Sequence, residues 1–379
     1  MGRGRVVGQG AAGAVAVLLL IAGCSSPSDG DEGRPGTPSS APSAPSGSSA
    51  APSAAAGGVR VTGTLTEGLR SPWGLAELPG GDLLVSSRDD RTITRVDVRT
   101  GRRTTLGEVP GVVPGGEGGL LGLAVRDGRV YAYLTSASDN RIVRMRYGGG
   151  AGDRLGAPEP VLTGLPKGLV HNGGRIAFGP DGMLYAGTGE TGRTGLAQDR
   201  GSLGGKILRM TPEGRPAPGN PFPGSVVYSY GHRNVQGLAW DADGRLWASE
   251  FGQNTWDELN LIEPGRDYGW PVVEGRAGRA GFTDPVAQWP TGQASPSGIA
   301  YAHGAIWMAG LRGERLWRIP LSGAERSGEP RAFLEDEYGR LRTVLATGGG
   351  ARLWLVTSET DTRGTPGPGD DRILRLEVR

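Results

Sequence analysis

His171 and Glu190 bracket the segment HNGGRIAFGPDGMLYAGTGE. A histidine held by a carboxylate is a recurrent acid/base arrangement, because the carboxylate fixes the ring and favours its protonated form. Between them the pattern predicts a strand at Arg175–Phe178, a turn at Pro180-Asp181-Gly182 and a second strand at Met183–Ala186. A hairpin returns its outer ends to one place, so His171 and Glu190 are expected to meet. A hairpin with a polar residue at each end is the plainer reading of the same stretch.

Other loops carry chemistry of their own. Gly115 to Gly122 places Glu117 among glycines, where backbone can approach a ligand closely. Gly231-His-Arg-Asn-Val-Gln-Gly237 packs a histidine, an arginine and two amides just before a strand. There Arg233 and Asn234 suit a carboxylate or a quinone oxygen. Asp257 and Glu258 are hard oxygen ligands, and the carbonyls of Gly252 and Gln253 lie nearby in the chain. That set suits calcium better than zinc, since no cysteine–histidine cluster accompanies it. Arg312, Arg340 and Arg342 precede strands late in the chain; the last two are two apart and so share a strand face. Arginines from separate blades converging on an axis would line a basic pocket for a polyanion.

The elements that position these loops repeat. A Gly/Asp turn followed by an apolar strand recurs six times, ending at Val85, Tyr131, Tyr185, Trp247, Trp307 and Trp354. A second strand follows each: Thr92–Val98, Arg141–Tyr147, Lys206–Thr211, Glu258–Glu263, Arg315–Leu321 and Arg372–Val378. A repeat of roughly fifty residues predicts an all-β fold, a six-bladed β-propeller. The last blade lacks an outer strand, which Val59–Leu65 is expected to supply from the other end of the domain. The longest departures from the repeat, Thr188 to Lys206 and Pro264 to Ser297, are expected to serve the site that contains His171.

Taken together, GEGGLLGLA, HNGGRIAFGPDGMLY, LAQDRGSLGGKILRM, GHRNVQGLAW, DELNLI and DYGWP resemble the soluble glucose/aldose-sugar dehydrogenases that use pyrroloquinoline quinone. The resemblance runs from Ser71 to the last strand. It implies the quinone on the propeller axis, calcium beside it and a sugar above. Carried over, His171 is the catalytic base, Glu190 the acid that orients it, and Arg233 a cofactor and transition-state contact. Glu117, Asn234, Arg312, Arg340 and Arg342 correspond to further cofactor contacts. Gly252 and Gln253 correspond to carbonyl ligands of the active-site calcium, and Glu258 with the Tyr268 carbonyl to a structural calcium. The chain departs from the family at Phe251-Gly252-Gln253, where His-Gly-Pro is common, and at Arg312, where a lysine is expected.

The N-terminus reads as an address. Arg3 and Arg5 precede an apolar run, Ala11–Ala22, too short to span a bilayer. It ends Ile21-Ala22-Gly23-Cys24, which resembles a bacterial lipobox, with residues 1–23 cleaved and Cys24, the single cysteine, lipidated. Residues 24–58 read as a disordered Ser/Pro/Ala/Gly tether and 59–379 as the propeller. Loss of Arg3 and Arg5 leaves 39 basic and 39 acidic residues, a balance that points to no nucleic-acid partner. The expected activity is oxidation of an aldose to its lactone outside the cytoplasmic membrane, with electrons passing to an external acceptor. The membrane would be touched only through the lipid anchor. The alternatives are a non-catalytic sugar- or cell-wall-binding propeller and a calcium-dependent lactonase using Glu117, Glu190 and Glu258.

Overall fold

A computed structural model describes Gly2, residues 57–148 and residues 154–378. The expected signal segment, Cys24 and the tether lie outside these residues, Gly2, Gly57 and Gly58 apart. Six small antiparallel sheets form the fold, each a blade. Blade 1 runs Pro72–Glu77, Leu83–Ser87, Thr92–Val96 and Arg103–Glu108 from the axis outward. Blade 2 follows with Leu120–Arg126, Arg129–Thr135, Asn140–Arg146 and Glu159–Leu165. In blades 3, 4 and 5 the first strands are Ile176–Phe178, Val235–Trp240 and Pro296–Ala302. A single 3-10 turn, Thr194–Ala197, is the one helical element among the described residues. The six-bladed propeller expected from the repeat is the observed architecture.

Blade 6 contains Leu341–Thr347, Arg352–Thr357 and Ile373–Val378, and its fourth strand is Val59–Thr66. Val59 pairs with Val378 and Arg60 with Glu377, so the two ends of the domain close the ring as expected. Closure leaves no unpaired seam between the first and last blades. It also buries Leu65 beside Leu75, Val85, Trp354 and Ile373 in one cluster.

The first strands of neighbouring blades contact one another around the axis. Five of the six carry a register shift near their start, so one residue per blade is turned toward the axis. In four blades that residue is glycine: Gly74, Gly122, Gly237 and Gly298. A side chain there would collide with the next blade, as a Cβ on Gly74 would lie 2.6 Å from the Leu121 carbonyl oxygen. In blade 3 the equivalent residue is Arg175, and in blade 6 it is Thr343.

Candidate active site

Where the first strands begin, loops from all six blades surround a cavity of about 580 Å³. Its wall includes Trp73 and Arg88 from blade 1, Glu117 before blade 2 and His171 before blade 3. Arg233, Asn234, Gln236, Phe251 and Gly252 come from blade 4, Arg312 from blade 5, and Arg340, Arg342, Asp361 and Arg363 from blade 6.

The hairpin brings His171 and Glu190 together as expected, with Nδ1 2.6 Å from Oε1 of Glu190. Gly189 permits this, since a Cβ there would strike the His171 carbonyl. On the other side of the ring, Nη2 of Arg233 lies 3.0 Å from Nε2. A guanidinium only donates, so Nε2 accepts and the ring proton sits on Nδ1, directed at Glu190. The imidazole is thus neutral, with its lone pair on the cavity side. The backbone of His171 is held in the left-handed region at φ 52°. Its amide donates to Glu117 (2.7 Å), whose other oxygen pairs with Arg363 (2.7 Å). Glu117 therefore positions the histidine as well as lining the cavity. Glu190 is almost fully buried, and its Oε2 has no hydrogen-bond partner among the described residues.

Arg233 is fixed from behind. Its amide donates to Glu250 and its guanidinium packs 5.5 Å from the Trp270 ring centroid. Burial holds its pKa below the ordinary arginine value, against the pull of Glu190 and Glu250. The Asn234 side-chain oxygen accepts the Gly173 amide (2.9 Å), tying blade 4 to the start of the hairpin.

Arg340 and Arg342 share a face, as their spacing required, and both reach Oδ2 of Asp361 at 3.0 and 2.7 Å. Burial alone would raise the Asp361 carboxyl, but Arg342 and Arg340 outweigh it and hold the group at about 2. Burial pushes Arg342 down to about 10, against the attraction of Asp361. Sequence reasoning did not single out Asp361, Arg88, Arg363 or Trp73. Asp361 stands in a Gly/Pro-rich loop outside the repeat, and its role appears only when the loop folds back on blade 6. The wall holds six arginines (88, 233, 312, 340, 342 and 363) against two carboxylates, Glu117 and Asp361. Arg233 Nε and Arg340 Nε are buried without a hydrogen-bond partner. An excess of buried cationic donors is the signature of an anion site.

The expected metal residues divide between two places. Gly252 lines the main cavity, whereas Gln253 is exposed and outside its wall. Oε1 of Glu274 accepts the amides of Gln253, Asn254, Thr255 and Trp256, so this carboxylate shapes the loop. Asp257 is not a free ligand. It is buried and accepts the Gly252 and Ser295 amides, and burial pushes it up to about 7. Glu258 and Tyr268 border a second, very small cavity with Glu250 and Glu274. Burial and the neighbouring Glu250 push Glu258 up to about 8. A buried carboxylate pair with Asn260 Oδ1 left unpartnered is a hard-oxygen set of the kind a divalent cation relieves. Among the described residues no three His, Cys, Asp or Glu side chains converge as a ready metal site, so a cation here needs backbone oxygens. Glu117, Glu190 and Glu258 do not converge on one axial point, contrary to what the lactonase alternative requires.

The Thr188–Lys206 insertion touches the site at its start, where the Glu190 carboxylate meets His171 Nδ1 and the Thr191 amide reaches the His171 carbonyl (3.2 Å). None of its residues lines the cavity. It is organised by Lys206, fully buried, whose ammonium donates to the carbonyls of Leu196, Ala197 and Gly204. The second long departure, Pro264 to Ser297, brings Ser295 to the wall.

Residues 69–366 match the family model for glucose/sorbosone dehydrogenase. The chain belongs to the glucose/sorbosone dehydrogenase family. A solved PQQ-bound aldose sugar dehydrogenase from Streptomyces coelicolor is 71% identical, with a TM-score of 0.83, covering 85% of this chain and 98% of that one. Quinoprotein glucose dehydrogenase B of Acinetobacter calcoaceticus is 32% identical over 252 residues, 56% of this chain; the match spans only 53% of that protein. The aldose sugar dehydrogenase YliI of Escherichia coli is 27% identical over 334 residues, covering 78% of this chain and 89% of that protein. For a glucose/sorbosone dehydrogenase fold, the His171–Glu190 pair and the arginine wall stand where loops from every blade meet.

Proposed function

We propose that this chain is a pyrroloquinoline-quinone- and calcium-dependent dehydrogenase that oxidises an aldose to its lactone and passes electrons to an external acceptor. The observation that carries this reading is a neutral histidine, oriented by a buried glutamate, opening onto a cavity walled by six arginines. A planar quinone bearing three carboxylates fits that wall: the guanidinium groups of Arg233, Arg340 and Arg342 supply donors, and Trp73 and Phe251 supply flat apolar surface. Arg340 and Arg342 would hold its carboxylates, with Arg312 at the exposed rim. Arg233 and Asn234 would face its carbonyl region. Gly252, with the neighbouring Gln253 carbonyl, would offer oxygens to calcium there. Glu258 and the Tyr268 carbonyl would hold a second, structural calcium. When bound, the quinone supplies a hydride acceptor.

The residues then divide the work. Nε2 of His171 takes the proton of the sugar's anomeric hydroxyl, as a general base must from hydrogen-bond reach. Glu190 holds the ring through Nδ1 and stabilises the imidazolium that forms. Arg233, now resting on Nε2, is placed to transfer its donor to oxygen where negative charge develops. Burial of Glu190 and Arg233 limits the access of water to both.

The test is reconstitution. The protein should reduce an artificial dye in the presence of an aldose only when the quinone and calcium are both added. Absence of quinone binding by calorimetry, with calcium present, would replace this reading with the sugar-binding alternative. The address is part of the proposal: Cys24 carries lipid and holds the propeller at the outer face of the membrane. Cys24→Ser should move the protein from the membrane fraction to the supernatant, and full retention on the membrane would refute the anchor.

A further inference from the structure

Arg175 occupies, in blade 3, the axial position that glycine takes in four of the other blades. Gly74, Gly122, Gly237 and Gly298 take the equivalent position in four blades, and together they clear a space that the Arg175 side chain fills from blade 3. Its guanidinium reaches most of the ring. Nε donates to the Gln236 carbonyl (2.7 Å) in blade 4, and Nη2 donates to the Thr343 hydroxyl (3.0 Å) in blade 6. Nη2 lies against Gly298 of blade 5, and the group stands 4.5 Å from the Trp73 ring centroid in blade 1. These contacts are neutral: no carboxylate is among them. A buried arginine normally has an anionic partner, because desolvating the charge is otherwise costly. Here burial, with Arg342 adding to it, pushes the group down to about 9.

The cavity lies above it. Trp73 and Gln236 belong to the cavity wall, and Gln236 Oε1 also accepts from Arg342 (3.1 Å). Arg175 therefore sits directly beneath the wall, separated from the cavity by Trp73 and Gln236, with Arg342 beside it. Arg342, unlike Arg175, has Asp361. We propose that Arg175 is a positioning residue for the cofactor: an uncompensated cation under the pocket floor that strengthens binding of an anionic planar ligand without touching it. This rests on the quinone reading given above. A charge acting through a dry, low-dielectric layer keeps much of its strength, whereas a surface arginine at the same separation would be screened.

Three substitutions in the full chain test the idea, each read by calorimetric titration of pyrroloquinoline quinone with calcium present and by the melting temperature of the cofactor-free protein. Arg175→Gln keeps a donor for Gln236 and Thr343 but removes the charge; the dissociation constant should rise by about tenfold or more. Arg175→Lys keeps the charge and loses the fork, so it should bind more tightly than Arg175→Gln. Thr343→Asp leaves the arginine in place and gives it a carboxylate partner, at the loss of the Thr343 hydroxyl bond to the Trp73 carbonyl (2.8 Å); it should weaken binding as Arg175→Gln does, by more than any fall in its melting temperature accounts for. A merely structural plug predicts another order, in which affinity follows the melting temperature and the lysine and glutamine variants do not separate. Folded Arg175→Gln or Thr343→Asp protein with wild-type affinity overturns the proposal, and should Arg175→Gln not fold, the Thr343→Asp result decides alone. Wild-type protein that binds no quinone overturns the cofactor reading, and this inference with it.

Discussion

Among the described residues two histidine–glutamate pairs form, and they have different fates. In His171–Glu190 the Nδ1–oxygen distance is 2.6 Å, and in His232–Glu250 it is 2.8 Å. The difference lies at the other ring nitrogen. Nε2 of His171 meets the Arg233 guanidinium, at a cavity where the side chain keeps 17% exposure. Nε2 of His232 is 2.8 Å from the Ser229 hydroxyl, and the residue is 0% exposed. Its ring stacks on Tyr268, centroids 4.6 Å apart. Ser229, His232 and Glu250 have the connectivity of a hydrolytic triad, yet Ser229 and His232 are fully buried and border no cavity described above. Their effect is indirect, since Glu250 also accepts the Arg233 amide and so helps aim the side chain that meets His171. Access, not the identity of the pair, makes one histidine a base and the other a strut.

Substitutions should separate the two roles. His171→Ala should lower sugar-dependent dye reduction by about a hundred- to ten-thousand-fold, the usual worth of a general base, with little change in melting temperature. A comparable loss from His232→Ala in protein that melts like the wild type would break the comparison. His232→Ala should instead cost stability, since it strands buried oxygens of Ser229 and Glu250 at about 1–3 kcal/mol per unsatisfied group. Urea denaturation measures this.

Acid should act on the wall of the open site. Asp361 has a folded pKa of about 2 against an ordinary 3.8, so it contributes stability above the ordinary value. That contribution, about 2 kcal/mol, is lost as pH falls from near 4 through 2. Asp361→Asn should flatten stability against pH in this window, as measured by denaturation at stepped pH. The smallest effect should come from Glu190→Gln, which keeps a partner for Nδ1 and loses only its charge. A charge-assisted bond exceeds a neutral one by about 1 kcal/mol, so steady-state rates should fall by roughly tenfold or less. A loss as large as that of His171→Ala would show that Glu190 does more than orient the ring.

The repeat made the propeller legible, because a turn followed by an apolar strand is a local signal and six copies of it specify one architecture. The closing strand was legible for the same reason: blade 6 was one strand short, and Val59–Leu65 was left over. His171 with Glu190 could be paired because a hairpin converts chain spacing into contact. Arg340 with Arg342 could be paired because alternate residues of a strand share a face. Asp361, Glu274, Arg363 and Arg175 were not legible. Their partners lie on other blades or in loops without periodicity, and nothing local distinguishes an arginine on the axis from one on the surface. The sequence by itself determined the blades, their order and the loops that bring His171, Arg233 and Arg342 to the open end of the ring. Only the closed ring decided which histidine is reachable, which carboxylates are spent on backbone amides and which arginines are left without an anion. Those properties depend on burial and through-space charge, which arise when separate blades meet.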